Sequence, residues 1–177
     1  MNNNWRLITK ENKKDIQDIS MNMLLNEKDK KMKTQYCNIV SQIFINISEM
    51  NEEFAEENKI DDIDEFSHVF EYITKFLLGE INEENLLNIE CSLKLLGQNF
   101  PDLGDDFEEK KDLFIQSFRN FFKTVSISLK TKTARCVSEI ISYEKSDVIK
   151  GYTEFLLPIM ETTLRCFDDP KEEDNVK

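Results

Sequence analysis

From Met32 to Met50 the apolar residues Met32, Tyr36, Ile39, Val40, Ile43, Phe44, Ile47 and Met50 recur every three or four positions. That spacing lays them along one side of an α-helix. A single amphipathic helix buries nothing by itself, so such a stripe demands other apolar surfaces to pack on. The rest of the chain supplies them in the same pattern. Ile16, Ile19, Met23 and Leu24 mark a helix from Thr9 to Leu25, with Thr9 as its N-cap. Phe66, Val69, Phe70, Ile73, Phe76 and Leu77 mark another over Asp62 to Leu78, opened by acids and closed by Gly79. Between them MNEEFAEENKIDD, Met50 to Asp62, has no sustained stripe and reads as an exposed connection.

Asn82 then caps a helix that buries Leu86, Ile89, Leu93 and Leu96, with Gly97 at its C′ position and Pro101 forbidding continuation. Asp105 and Asp106 restart a helix whose core face is Phe107, Phe114, Phe118, Phe121, Phe122 and Val125. Ala134, Val137, Ile140 and Ile141 define a sixth helix over 129–143. Val148, Tyr152, Phe155, Leu156, Ile159, Leu164 and Phe167 define a seventh, with Pro158 in the first turn of its regular part. Only four Gly and three Pro stand against 13 Phe in 177 residues, which leaves sheet turns and flexible linkers poorly supplied. The fold class expected is all-α. The second, fourth and sixth helices start near Lys31, Asn82 and Ser128, roughly the spacing of stacked helix pairs of about 40 to 47 residues. The pairs fall at 31–79, 82–125 and 128–168, after a partial pair at 1–26 and before a fraying tail at 169–177.

Charge and composition narrow the function. With 23 basic and 35 acidic side chains the net charge is −12, which disfavours binding to nucleic-acid phosphates or anionic membranes and suits a basic partner. The first twenty residues carry charges throughout and resemble no secretory leader. No apolar run approaches the ~20 residues of a membrane span. Cys37, Cys91, Cys136 and Cys166 form no CxxC pair and read as small buried thiols of a reducing compartment. EFSH, Glu65 to His68, matches the Glu-x-x-His element of helical di-metal sites. That chemistry needs two such elements, and His68 is the one histidine of the chain. The same scarcity disfavours nucleophilic catalysis with a histidine base, and no Gly-rich phosphate loop is present. A protein without enzymatic activity and without cofactor is expected.

NNWRLITKENKKDIQDISMNML, Asn3 to Leu24, resembles the second helix of an early HEAT repeat of the importin-beta, or karyopherin, family, and KMKTQYCNIVSQIFINI resembles the next repeat's outer helix. LLNIECSLKLLGQNFPDLGDDFEEKKDLFIQSFRNFF resembles a complete repeat, and SLKTKTARCVSEII with YTEFLLPIMETTLRCF another. The similarity is nearest to the importin-five subfamily. It implies a right-handed α-solenoid of about three and a half helix pairs, cut from the N-terminal half of a longer receptor. It also implies a concave surface that holds the GTPase Ran in its GTP form or basic cargo, and shuttling between cytoplasm and nucleus. Carried onto this chain, the inner helices would be Thr9 to Leu25, Asp62 to Leu78, Asp106 to Lys123 and Tyr152 to Phe167. Their partner-facing residues would be Asp64, Glu71, Glu109, Asp112, Gln116, Glu154 and Glu161. The alternatives that the residues leave open are another HEAT or armadillo scaffold and a compact helical bundle with a partner groove.

Overall fold

The structure, a computed structural model, describes residues 4–56 and 68–143. A 3₁₀ turn at Asn4–Leu7 precedes six α-helices: α1 Lys10–Asn26, α2 Lys30–Glu56, α3 His68–Leu77, α4 Glu83–Gln98, α5 Phe100–Lys123 and α6 Ile127–Tyr143. The described residues are all-α. The helix expected over 148–167, the connection beyond Glu56, and Cys166 lie outside them.

Local chemistry sets the starts of two helices as anticipated. The Thr9 side chain accepts from the Asn12 N–H at 3.4 Å, and Asn82 accepts from the Asn85 N–H at 2.9 Å. The stops differ. Helix α2 continues to Glu56, through part of the acidic segment expected to be a connection. Nothing in MNEEFAE breaks a helix, because Glu, Met and Ala are good helix formers and no Gly or Pro intervenes. Gly97 is not a terminus either: it lies inside α4, and a Cβ there would stand 3.4 Å from the Cys136 Cα and 2.0 Å from Glu139 Oε2. The glycine is there for a close approach between α4 and α6.

Helix α5 begins at Phe100, five residues before Asp105, because Pro101 sits in its first turn, where a missing N–H costs nothing. Asn99 alone separates α4 from α5. Its own N–H and its side-chain amide both donate to the Leu95 carbonyl, at 3.1 and 2.7 Å, while its carbonyl accepts from Asp102 and Leu103. Ser41 of α2 donates to Asn99 Oδ1 at 3.1 Å, tying this buried corner to a third helix.

Packing centres on α4. It lies most extensively against α3 and α6 and also meets α2 and α5. Hence Ile89, Glu90, Cys91, Ser92, Leu93, Leu95, Leu96 and Gly97 are all buried, a helix enclosed on most sides rather than striped. Helices α2, α4 and α6 neighbour one another in that order. Helix α3 also touches α5, α1 packs on α2, and α5 packs on α6. Phe107, Phe114, Phe118 and Phe121 are buried on α5, with Phe107 and Phe114 stacked at 5.2 Å and an interplanar angle of 3°. Each such ring contributes about 1.5–3 kcal/mol by leaving water. Phe122 is partly buried, whereas Val125, expected inside, is 98% exposed because α5 has ended at Lys123.

Two apolar faces are corrected in the same way. On α1 the side against α2 is Lys13, Gln17, Ser20 and Leu24, so Ile19 and Met23 point outward and Ile16 is only partly covered. The Lys13 stem reaches Met50, its Nζ 3.6 Å from the sulfur, so its methylenes cover apolar surface here. On α2 the buried line runs through Lys33, Cys37, Val40, Ser41, Ile43, Ile47 and Met50, leaving Met32 and Ile39 exposed.

Candidate functional site

The described residues expected to face a partner divide between two helices. Glu109, Asp112 and Gln116 follow one another at three and four residues along α5 and are all exposed, opposite the buried phenylalanines. Glu71 is exposed on α3. Asp64, Glu154 and Glu161 lie outside the described residues. The two helices meet where the Phe70 and Phe114 rings pack edge to face at 6.2 Å. The Lys110 ammonium lies 5.1 Å from the centre of the Phe70 ring, so a cation of α5 stands at its contact with α3. Lys111 pairs with Glu108 at 2.7 Å. The acidic surface is therefore mixed at its middle, with Glu109 and Asp112 beside these lysines in the sequence.

His68 opens α3 and bridges two helices. Its Nδ1 is 3.3 Å from Glu71 Oε2 and its Nε2 is 3.8 Å from Asp18 Oδ1 of α1. All three side chains are at least 44% exposed, which makes this a solvated polar contact between neighbouring helices. Among the described residues no three His, Cys, Asp or Glu side chains converge as metal ligands would.

A second polar assembly was not signalled by the sequence. Where α2, α4 and α6 meet, the Glu90 carboxylate is only 4% exposed. It accepts from the Ser128 hydroxyl at 2.6 Å and faces Lys132 at 3.2 Å and Lys30 at 3.7 Å. Beside it the Cys37 thiol of α2 points at the carbonyl of Cys91, the residue after Glu90, 3.7 Å distant. Hydrogen bonding with the Cys91 thiol, together with burial, pushes the Cys37 thiol up; the same bond draws Cys91 down, aided by the Lys33 and Lys132 cations. Burial also pushes up the Tyr72 hydroxyl, which donates to Asn88 Oδ1 at 2.9 Å, and the enclosed Cys136 thiol. Lys33, 2% exposed, donates to the Leu25 and Glu27 carbonyls at 3.2 and 2.9 Å and so closes the C-terminal end of α1; burial lowers its pKa.

Above this contact the helices part into a cleft. One hollow of about 460 Å³ lies over Gly97, between Asn38, Ser41 and Gln42 of α2 and Glu139 and Tyr143 of α6. A smaller one of about 190 Å³ adjoins it over Leu93 and Lys94, between Thr34 and the pair Lys132 and Arg135. Gln98 and Glu139 belong to both. The sequence holds only a faint trace of it: Lys132 and Arg135 at i, i+3, and a glycine in the middle of a helix. The molecule thus carries two polar surfaces on different helices, one mostly acidic on α3 and α5, one with an excess of cations on α2, α4 and α6. Comparison with known protein families, with curated proteins and with solved structures finds no match to this chain.

Proposed function

We propose that the chain is a protein-recognition segment built as a HEAT-like, right-handed α-solenoid, belonging to an importin-beta-like nuclear transport receptor. The observation that carries this reading is alternate-helix adjacency. Helices α2, α4 and α6 neighbour each other in order, α3 neighbours α5, and His68 of α3 reaches Asp18 of α1. Two parallel rows of alternating helices are what a stack of helix pairs produces. In this reading α1, α3 and α5 form the inner row. Glu71, Glu109, Asp112 and Gln116 then face the partner, joined by Asp64, Glu154 and Glu161. Acids focused on a concave face attract a basic partner and raise its capture rate. Ran in its GTP form and basic cargo are the partners that the family resemblance supplies, and movement between cytoplasm and nucleus follows from it.

The test is titration of the chain with Ran loaded with a GTP analogue or with GDP, at low and high salt. Selective, salt-sensitive binding of the GTP form that weakens on Glu71→Lys and Asp112→Lys is the expected result. Binding that ignores both the nucleotide and the two reversals would sink the assignment and favour the second reading, a non-karyopherin helical adaptor.

A further inference from the structure

We propose that the cleft between α2, α4 and α6 docks an extended peptide segment carrying acidic side chains. The site lies on α2, α4 and α6 rather than on α5 with Glu109 and Asp112 and has the opposite charge preference, so it does not rest on the function proposed above.

Three features of the cleft lead to that ligand. The first is charge. In a chain of net charge −12, the small hollow is rimmed by Lys94, Lys132 and Arg135. Arg135 is paired with Glu139 at 3.0 Å, and Lys132 shares the Glu90 carboxylate with Lys30. Lys94, by contrast, donates to the neutral amide oxygen of Asn38. With Lys30, four cations stand against Glu90 and Glu139, leaving the rim of the small hollow positive. A recess focuses such an excess more than a flat surface does.

The second feature is hydrogen-bonding capacity. The large hollow presents the carboxamides of Asn38, Gln42 and Gln98. The Asn38 oxygen accepts from Lys94, and the Gln42 amide donates to Asn46 at 3.2 Å. A carboxamide has two N–H donors and two lone pairs, so each keeps capacity for the N–H or C=O of a peptide unit leaving water. The third is length. Thr34 and Ile45, at the two ends of the α2 wall, lie about 16 Å apart at ~1.5 Å per helical residue, room for about five residues of extended chain at ~3.3 Å each. Gly97 lines the floor of the large hollow without a side chain, at the place where α4 comes close to α6.

The probe is a fluorescent peptide alternating Glu and Ser, titrated with the full chain and compared with a peptide carrying Gln for Glu and with inorganic phosphate as competitor. We expect saturable binding of the Glu peptide with Kd below about 1 mM. The Gln peptide should bind at least about fivefold more weakly. Lys94→Glu and Arg135→Glu should each weaken binding about tenfold, while Lys123→Glu on α5, an equal change in net charge, should alter it less than about twofold. Equal weakening by Lys123→Glu, full displacement by phosphate at the peptide's own concentration, or no saturation below about 1 mM overturns the proposal. Amide exchange of the unmutated chain provides a readout independent of variant folding. Added peptide should slow exchange at 34–45 and 132–143, and unchanged exchange there also overturns it.

Discussion

Glu90 shows how burial decides which half of an ion pair is expensive to lose. Its carboxylate is 4% exposed, whereas Lys132 is 37% and Lys30 67% exposed. Removing a cation leaves a charge held inside the protein, while removing the carboxylate leaves lysines that can turn to water. Lys132→Met should therefore destabilise by about 1–3 kcal/mol, more than Glu90→Met, and the double variant should be no less stable than Lys132→Met. Urea midpoints of the four proteins check this; an equal cost for the two single changes would mean that the carboxylate stays solvated. Lys33 poses the related question in pH. Burial lowers its pKa below the ordinary 10.5, so between the two values the unfolded chain binds more protons than the folded one. Stability then rises with pH across that window. Lys33→Met lacks this gain as well as the bonds to Leu25 and Glu27. The deficit of the variant should widen as pH is raised toward 10.5, and a narrowing deficit would contradict the placement of the ammonium.

Among the helices, the contact of α4 with α6 turns on Gly97. Alanine is intrinsically better in a helix by about 1 kcal/mol, but the added Cβ would meet Glu139 Oε2 at 2.0 Å. That carboxylate ends a flexible side chain and can swing away, losing the bond that its Oε1 accepts from Arg135. Gly97→Ala should thus be close to neutral alone and stabilising by up to about 1 kcal/mol once Glu139→Ala has cleared the space. Gly97→Leu has to displace the Cys136 backbone and should cost several-fold more. Thermal unfolding of this set checks the order. The residue also marks where sequence stops speaking. Glycine near the end of an apolar stripe reads equally as a terminus or as a contact, and only the position of α6 separates the two. Pro101 is the same kind of symbol, a stop for one helix and a favourable first turn for the next. N-caps were legible at Thr9 and Asn82 because their reason is local. The buried face of α1 was not, since Lys13 and Gln17 bury their stems only because α2 lies where it does. The phenylalanine face of α5 was legible nearly in full; the Glu90 assembly and the cleft above it draw on three helices far apart in sequence, and no single stretch announces them.

At the scale of the whole molecule the distinction is between a stack and a closed bundle. In a stack each helix depends on its immediate neighbours, and stability is a sum of local terms and nearest-neighbour contacts. In a bundle around one core, any lost core residue lowers the protection of every element together. Leu24 allows the two to be told apart, because it is fully buried in α1 at one end of the described helices, and α1 packs chiefly on α2. Leu24→Ala removes several methyl and methylene groups and should cost about 2–5 kcal/mol where it acts. In the stacked arrangement, native-state hydrogen exchange should quicken in α1 and α2 and persist nearly unchanged in α5 and α6, with α4 the slowest element of all because it is enclosed on most sides. Uniform acceleration from α1 through α6 would rule out the stack and with it the proposal that Glu71, Glu109 and Asp112 share an inner row. The cleft of α2, α4 and α6 would survive that outcome, because it depends only on those three helices touching in order.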